Sequence, residues 1–294
     1  MIKGIILAGG LGTRLFPITK VISKQLLCVY DKPMIYYPLS TLLLAGIKDI
    51  LIISTITDID NYKNLFGNGK NLGISISYKI QKKPEGIAQA FIIAEEFIGN
   101  DNVCLILGDN IFHGFEESNI LNTAIDQLNR KGVGTIFGSY VKNPERYGVI
   151  KFDKDANPKR IIEKPKKFIS NFAVAGLYFY PNSVIEISKT IQPSLRNELE
   201  ITSVNNIYLE QKKINIKILK PSFTWLDTGT PDSLLEASNF VQTVEKRQGL
   251  KIACIEEISL KNNFIDYSKL QKIISKMDIN EYSQYLSNLV NNGV

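Results

Sequence analysis

Near the amino terminus, a glycine-rich segment is followed by three cationic side chains. Backbone N–H groups of closely spaced glycines can turn toward an anion, and Arg and Lys side chains bind phosphate oxygens. This composition predicts a loop that holds a polyphosphate and stabilises a departing pyrophosphate. A tight strand-to-helix turn is the alternative that the glycines alone leave open. The residues concerned are Gly9, Gly10, Gly12, Thr13, Arg14, Lys20 and Lys24, and a solvated surface role is the alternative for Lys20 in particular.

This segment differs from two common nucleotide-binding motifs. A dinucleotide fingerprint requires a glycine three residues after Gly12, and that position holds Leu15. A Walker A loop ends in Gly-Lys and then Ser or Thr, whereas Gly12 is followed by Thr13 and Arg14. Because Pro17 disfavours an immediate continuous helix, we expect the segment to wrap as a loop.

Asp109 is the strongest candidate metal ligand. It follows the apolar segment 103–107, so we expect it at the carboxyl end of a buried strand, the edge where open α/β sheets bind ligands. An Asx turn or a helix cap is the alternative role for this side chain. Asp227 precedes a helix start that Thr230 signals as N-cap, with Pro231 at the first helical position. The local sequence leaves the role of Asp227 undecided.

Composition narrows the chemistry further. His113 is the single histidine, which nearly excludes Ser-His-Asp, Cys-His and histidine-rich metal chemistry. The three cysteines form no CxxC pair, so we expect neither a disulfide framework nor a zinc site. The formal charge of +6 fits a polyanionic partner, but no nucleic-acid-binding motif accompanies it. No apolar run reaches the ~18 residues that span a bilayer, so we expect a cytoplasmic protein with no membrane or nucleic-acid partner.

The order of apolar segments predicts an α/β fold. Short β-branched runs alternate with segments of helical apolar spacing, the pattern of a mostly parallel sheet flanked by helices. Strands are predicted at residues 3–7, 49–54, 74–80, 103–107, 135–140, 148–152, 173–180 and 214–219. Helices are predicted at 34–45, 87–98, 119–130, 183–190, 201–211 and 234–247. From about residue 232 onward the pattern is helical. The apolar face of the last fifty or so residues either packs on the rest of the chain or forms an interface.

Several motifs along the chain resemble those of the glucose-1-phosphate thymidylyltransferases, which are sugar-phosphate nucleotidyltransferases. The likeness covers essentially the whole chain, and ordered motifs at matching intervals are far more specific than one loop. The matching segments are residues 9–15, 23–27, 31–39, 107–110, 145–149, 163–165, 198–202 and 225–230. Cys28, Phe172, Ala175 and Ser203 depart from the residues usual in that family.

The resemblance implies a set of functional residues. Nucleotide binding is implied for Gly9, Gly10, Gly12, Thr13, Arg14, Lys24, Gln25, Gln81, Gly86 and Asp109, with Gln81 and Gly86 at the thymine edge. Sugar-phosphate binding is implied for Asn110, Gly148, Glu163, Lys164 and Val174. Catalysis is implied for Arg14, Lys24, Asp109 and Asp227, with Mg2+ held by the two aspartates.

The resemblance also implies an organisation and an activity. A Rossmann-like catalytic domain would span 1–240, with a nucleotide-binding part at about 1–110 and a β-rich sugar-binding part at about 111–230. Residues 241–294 would be a helical appendage that serves as an oligomer or regulatory interface. The chain would assemble as a homotetramer and transfer a thymidylyl group from dTTP to α-D-glucose 1-phosphate. A uridylyl- or cytidylyltransferase on a related sugar 1-phosphate, or a silent nucleotide-sensing homologue, are the alternatives.

Overall fold

A computed structural model of the chain describes residues 1–10, 12–114 and 117–292. Its strands are β1 (Ile2–Ala8), β2 (Cys28–Val29), β3 (Lys32–Pro33), β4 (Asp49–Ser54), β5 (Ser75–Ile80), β6 (Asn102–Leu107), β7 (Asn110–Gly114), β8 (Gly134–Tyr140), β9 (Gly148–Phe152), β10 (Pro158–Glu163), β11 (Phe172–Tyr180), β12 (Ile214–Ile218) and β13 (Phe223–Asp227). Its α-helices are α1 (Tyr36–Leu44), α2 (Ile59–Phe66), α3 (Gln89–Ile93), α4 (Glu95–Ile98), α5 (Glu117–Lys131), α6 (Val184–Thr190), α7 (Ile201–Glu210), α8 (Pro231–Gln248), α9 (Ile255–Lys261), α10 (Tyr267–Ile274) and α11 (Glu281–Asn292).

The parallel part of the main sheet is built from continuous apolar strands. β1 pairs in parallel with β4 on one side and with β6 on the other, and β4 pairs in parallel with β5. Residues 50–53 of β4 are fully buried, because one core cluster lies on each face of the sheet. Unbroken runs of Ile and Leu favour this arrangement, since both faces of such a strand lose contact with water.

The antiparallel part of the same sheet is organised around β11. This nine-residue strand pairs antiparallel with β6, β8 and β9, and β10 extends the edge by pairing antiparallel with β9. Along β11, Val174, Gly176 and Tyr178 line a cavity. The alternate residues Ala175 and Leu177 pack in the core beside them. The β-rich part thus builds a wall for a site on one face and a core on the other.

A separate two-stranded ribbon of β7 and β13 brings the two candidate metal aspartates together. In its register, Asp227 lies opposite Asn110, the residue after Asp109. The backbone N–H and the hydroxyl of Thr228 both donate to the Asp109 carbonyl oxygen, at 3.2 Å and 2.9 Å. The two aspartates, 118 positions apart in the sequence, are therefore neighbours in the fold.

The predicted α/β class, with a mostly parallel sheet flanked by helices, is confirmed. The helix predicted at 87–98 is divided at Ala94 into α3 and α4. Thr230 is the N-cap of α8 as predicted, since its side chain accepts from the Ser233 N–H at 3.2 Å, and Pro231 begins the helix. The predicted strands omit β7, β10 and β13, which are short and only partly apolar.

The carboxyl-terminal helices dock on the part of the chain that contains α1. Ile255 of α9 belongs to the core cluster that contains α1, and the Asn262 side-chain amide donates to the Leu43 carbonyl at 2.6 Å. Glycine is required at Gly73, where a Cβ would lie 2.0 Å from the Phe264 carbonyl oxygen. The appendage therefore packs on the chain itself. No helix in the described part of the chain is both long and apolar enough to cross a membrane.

Candidate active site

Two neighbouring cavities lie at the carboxyl ends of the parallel strands. The first, of about 180 Å³, contains residues from the aspartate region and from the antiparallel part of the sheet. The second, of about 170 Å³, is lined by Gly10, Gly12, Thr13, Arg14, Lys24, Gln25, Asp109 and Gly229. Arg14 and Asp109 line both cavities, so the boundary between the two lies at these side chains.

The glycine-rich segment forms the loop that its composition predicts. Gly12 has a φ of +60°, and its carbonyl oxygen accepts from the Thr19 hydroxyl at 2.9 Å. A Cβ at Gly12 would lie 2.8 Å from the Thr19 methyl group, so both the backbone angle and the packing require glycine. Gly9 is packed just as closely, since a Cβ there would lie 2.1 Å from the Gln81 side-chain oxygen. The loop thus presents its backbone directly to the second cavity.

Lys24 and Asp109 form an ion pair where the cavities meet. The Lys24 side chain is 7 % exposed and its ammonium group donates to one carboxylate oxygen of Asp109, while the Asn110 amide donates to the other at 2.8 Å. Burial by itself would raise the pKa of the Asp109 carboxyl, but the charge and hydrogen bond of Lys24 outweigh it. The pKa of Asp109 therefore lies below its usual range. This side chain is an anion at neutral pH and is available to a cation.

Asp227 faces the first cavity among cationic and aromatic side chains. An Arg146 guanidinium nitrogen lies 3.4 Å from its carboxylate. An Arg14 guanidinium nitrogen and an Asp227 oxygen would each lie 3.2 Å from a Cβ at Gly229, so the glycine makes room for both. Burial and the Asp227 carboxylate raise the pKa of Tyr147 to about 12, which keeps this hydroxyl protonated and able to donate.

Asn110 holds the aspartate region in place from behind. Its side-chain oxygen accepts from the Gly176 N–H at 3.1 Å and from the Trp225 indole N–H at 2.6 Å. With its amide nitrogen donated to Asp109, every polar atom of this side chain has a partner. The indole of Trp225 also lines the first cavity, in edge contact with the Tyr147 ring at 5.2 Å. Asn110 therefore positions Asp109 while contributing to the cavity wall.

The far end of the first cavity carries a carboxylate with two fixed partners. Glu163 accepts from the Thr202 hydroxyl at 2.5 Å and from Arg196 at 3.2 Å. Gly148 lies close by, since a Cβ there would be 3.4 Å from a Glu163 oxygen and 3.0 Å from the Thr202 hydroxyl. A carboxylate held in this way keeps lone pairs free to accept from hydroxyl groups.

Lys164 has an unusual backbone conformation at the cavity wall. Its φ is +40°, which is uncommon for a residue with a Cβ, and its N–H donates to the Tyr147 carbonyl at 2.9 Å. Lys164 is exposed and lines the first cavity, next to Glu163 in the chain. Strained backbone of this kind is characteristic of binding sites.

The residues expected at or near the thymine edge have different surroundings. The Gln81 side chain packs on Gly9 and donates to the Gln89 side-chain oxygen at 2.6 Å, while Gln25 accepts from the Ser23 hydroxyl at 2.8 Å. Gln25 lines the second cavity, whereas Gln81 and Gly86 do not line either of the two. Gly86 has a φ of +106°, and a Cβ there would lie 2.4 Å from the Leu199 carbonyl oxygen. Backbone packing thus requires a glycine at this position.

All five residues that are predicted to bind the sugar phosphate line the first cavity: Asn110, Gly148, Glu163, Lys164 and Val174. Sequence reasoning missed other residues there, and Arg146 and Arg196 are the most informative. Arg146 lies within the motif segment 145–149, and Arg196 lies two residues before the segment 198–202. A positive charge in or near these motifs was the signal that could have identified both residues. Phe172, Ala175 and Ser203, which depart from the family pattern, are not among the cavity-lining residues.

The two aspartates suit a divalent cation that is shared with a phosphate ligand. Carboxylate oxygens are the ligands that Mg2+ prefers, and this ion is usually held by one or two carboxylates with substrate phosphates and water. Among residues 1–10, 12–114 and 117–292, no three His, Cys, Asp or Glu side chains are grouped closely enough to hold a metal ion by themselves. Asp109 and Asp227 therefore fit a metal that arrives with a polyphosphate better than an all-protein metal cage.

Comparison with known proteins identifies the family of this chain. The model of the nucleotidyl transferase family matches residues 3–244. Glucose-1-phosphate thymidylyltransferase from Neisseria meningitidis serogroup A is 54 % identical over 288 residues, which are 98 % of this chain and 99 % of the relative.

Solved structures share the fold. One, assigned as a glucose-1-phosphate thymidylyltransferase of Bacillus anthracis in complex with a sucrose, has a TM-score of 0.74 and 39 % identity over 82 % of this chain and 95 % of its own. A UDP-glucose pyrophosphorylase complexed with UDP-glucose has a TM-score of 0.73 and 28 % identity over 83 % of this chain and 100 % of its own. With its full-length likeness and its matching family model, the chain belongs to the nucleotidyl transferase family, among the glucose-1-phosphate thymidylyltransferases.

Proposed function

We propose that this chain transfers a thymidylyl group from dTTP to α-D-glucose 1-phosphate, giving dTDP-glucose and pyrophosphate. The observation that carries the proposal is the meeting of the two cavities at Arg14 and Asp109. One cavity has a glycine-rich wall with Arg and Lys, which suits a triphosphate. The other is lined by carboxylates, by hydroxyls and by four cationic residues, which suits a phosphorylated sugar. Transfer between the two ligands would take place at their common boundary.

The sugar phosphate is its own nucleophile in this reaction. The second pKa of a phosphate monoester is about 6, so its oxygen is already anionic at neutral pH and needs no general base. It attacks the α-phosphorus of dTTP, the new P–O bond forms, and the bond to pyrophosphate breaks with the electron pair leaving on pyrophosphate. A chain with a single histidine, His113, is suited to this chemistry. That histidine packs against the Phe240 ring at 6.0 Å between centroids.

The residues at the nucleotide end act by charge and position. Backbone amides of the glycine loop, with Arg14 and Lys24, bind the triphosphate and stabilise the pyrophosphate as it departs. Because Lys24 is paired with Asp109, its ammonium group is already held at the cavity boundary when the nucleotide arrives. Losing one such charge-stabilising contact typically costs about 10²–10³ in rate. We assign Gln25, Gln81 and Gly86 to the base-binding region beside the loop.

The residues at the sugar end fix the attacking phosphate and the ring. Lys164 and Arg196 supply positive charge for the phosphate, and the Glu163 carboxylate accepts from ring hydroxyls. Gly148 and Val174 leave room for the ring at the wall of the first cavity. Holding both reactants in line replaces an encounter in solution by a reaction within one complex, which accounts for much of the catalysis in phosphoryl transfer.

Asp109 and Asp227 would hold the Mg2+ ion. When bound, a divalent cation at these carboxylates neutralises phosphate charge and orients the α-phosphate. In the present structure the positive charges beside the two carboxylates come from Lys24 and Arg146. We expect both cations to exchange these contacts for phosphate oxygens when the substrates bind.

The organisation of the chain belongs to the same proposal. We assign residues 1–240 to a catalytic domain, with nucleotide binding at about 1–110 and sugar binding at about 111–230, and 241–294 to a helical segment. The match of the family model to residues 3–244 supports this division. A homotetramer, a cytoplasmic location and a role before dTDP-rhamnose-type sugars complete the assignment, with no nucleic-acid or membrane partner.

Turnover of several substrate pairs by the purified chain tests the proposal. Initial rates would be compared for dTTP, UTP, CTP and ATP, each with glucose 1-phosphate and with other sugar 1-phosphates, in Mg2+. The expected result is the highest kcat/KM for dTTP with glucose 1-phosphate. Since thymine differs from uracil by one methyl group, worth about 1–3 kcal/mol, some turnover of UTP is expected as well. Nucleotide binding without turnover of any pair would contradict the proposal.

A further inference from the structure

An asparagine with an unused amide lies in the wall of the first cavity. Four side-chain polar atoms in the described residues are buried without a hydrogen-bond partner, and one of these is the amide nitrogen of Asn205. Of the four residues, only Asn205 lines this cavity. Asn205 is fully buried, with 0 % of its surface exposed to solvent. An unpaired polar group at such depth is destabilising unless something bonds to it, so its presence in a cavity wall calls for a ligand.

The other end of the same amide is firmly held. The Tyr180 hydroxyl donates to the Asn205 side-chain oxygen at 2.5 Å. The Tyr180 ring is itself stacked between Tyr178 and Tyr208, with centroids 6.0 Å and 5.5 Å away. Because a hydroxyl can either donate or accept, turning the amide over would only exchange which of its polar atoms is left unpaired. In both orientations one polar atom of Asn205 is without a protein partner.

Asn205 lies on the same face of α7 as a second cavity-lining residue. Thr202 and Asn205 are three residues apart on α7, so they lie on one face of the helix, and both line the cavity. The next residue, Asn206, points elsewhere, because its amide makes two hydrogen bonds to the Ile161 backbone, at 2.8 Å and 2.9 Å. The two adjacent asparagines therefore have different roles.

We propose that Asn205 is a further specificity-determining residue, whose amide hydrogen-bonds a hydroxyl group of the bound sugar, directly or through one water molecule. The chemistry of its surroundings selects a neutral hydroxyl rather than the phosphate. One turn before it on α7, the wall residues are the uncharged Ile201 and Thr202, whereas Lys164 and Arg196 elsewhere in the wall are cationic and suited to the phosphate. This inference rests on the proposed function, since it assumes a sugar phosphate in the first cavity.

Sugar 1-phosphates that lack single hydroxyl groups test this role. kcat and KM would be measured with dTTP and glucose 1-phosphate, and with its 2-, 3-, 4- and 6-deoxy analogues, for the unmodified chain and for Asn205→Leu. The unmodified chain is expected to lose about 10-fold or more in kcat/KM with the analogue that lacks the contacted hydroxyl. In Asn205→Leu this penalty should shrink to about 2-fold or less, while the other analogues keep theirs. An identical analogue profile in both proteins would overturn the proposal, because a merely structural role lowers all rates alike.

Two further variants separate specificity from stability. Tyr180→Phe combined with Asn205→Leu removes both partners of the hydrogen bond, so it leaves no orphaned hydroxyl if the single variant fails to fold. Asn206→Ala is the matched control, and we expect it to lower the Tm while leaving the analogue profile unchanged. A changed profile in Asn206→Ala alone would count against Asn205.

Calorimetry distinguishes failure of this contact from failure of the proposed function. If the unmodified chain forms no sugar nucleotide from any triphosphate, the proposed reaction fails. Binding of glucose 1-phosphate and its deoxy analogues to the two proteins still tests the contact in that case. If the contact exists, one deoxy analogue should bind the unmodified chain about 10-fold more weakly than glucose 1-phosphate does. The same analogue should bind Asn205→Leu as tightly as glucose 1-phosphate does. Equal losses in both proteins would overturn it.

Discussion

Replacing Lys24 by methionine removes one positive charge from the boundary of the two cavities and keeps most of the side-chain volume. The structure gives this lysine two functions. Its ammonium group lies where a triphosphate would bind, and it neutralises the Asp109 carboxylate. Lys24→Met should therefore reduce both catalysis and stability, by amounts that a second substitution can separate.

The magnitudes follow from the surroundings of the pair. Loss of a charge-stabilising contact should lower kcat/KM by about 10²–10³. Breaking a fully buried ion pair is destabilising by about 3–5 kcal/mol. The Asp109 side chain is 25 % exposed, so solvent reduces this effect, and we expect about 1–3 kcal/mol for Lys24→Met. The double variant Lys24→Met with Asp109→Asn removes both charges and should recover most of the stability but none of the activity.

Pyrophosphate release and urea unfolding would be measured for the unmodified chain, the single variants and the double variant. Lys20→Met is the matched control, because Lys20 is an exposed lysine of the same loop and should keep nearly full activity and stability. Full activity of Lys24→Met would remove this lysine from the mechanism. Equal loss of activity in Lys20→Met would mean that the loop responds to its net charge, which would refute the specific role of Lys24.

Three further substitutions probe other parts of the account. Asp227→Asn keeps the shape beside Arg146 but removes the carboxylate charge, so pyrophosphate release should slow by about 10²-fold or more with an unchanged Tm; a rate close to normal would exclude Asp227 as a metal ligand. Gly86→Ala places a Cβ 2.4 Å from the Leu199 carbonyl oxygen at a φ of +106°, and urea melts should show a loss of about 1–3 kcal/mol, whereas an unchanged midpoint would contradict this packing. Burial raises the pKa of the Glu256 carboxyl, so its ionised form is disfavoured in the folded chain and stability is lost as pH rises above the unfolded pKa of about 4.3. Glu256→Gln should therefore raise the free energy of unfolding near pH 8 and hardly change it near pH 4, and an equal change at both pH values would contradict the assignment.

The sequence predicts best those parts of the fold in which local pattern and tertiary environment agree. β4 is found where its run of Ile and Leu predicts it, because a strand buried on both faces has no polar positions to obscure the pattern. β7 and β13 escape prediction because pairing with each other, rather than apolar pattern, makes them strands. The glycine loop is also predictable from the sequence, because the backbone angle and the close packing at Gly12 restrict that position to glycine.

Within the candidate site, pattern identifies residue types but not partners. Asp109 is predictable from its position after a buried strand, whereas the approach of Asp227 to it depends on a ribbon between distant segments. Arg146 lies within the motif segment 145–149, but its partner Asp227 is 81 residues away in sequence, so the contact between them follows only from the fold. Asn205 is the extreme case, because a helical asparagine is ordinary in sequence and only the structure shows that its amide is unpaired.

In the proposed reaction the sugar phosphate itself attacks dTTP, without a nucleotidyl-enzyme intermediate. Incorporation of labelled pyrophosphate into dTTP distinguishes this direct attack from a two-step transfer, with the chain and Mg2+ incubated in the presence and in the absence of dTDP-glucose. We expect label in dTTP only when dTDP-glucose is present. Exchange between pyrophosphate and dTTP with no sugar compound in the mixture would require a covalent intermediate on the protein and would rule out direct attack.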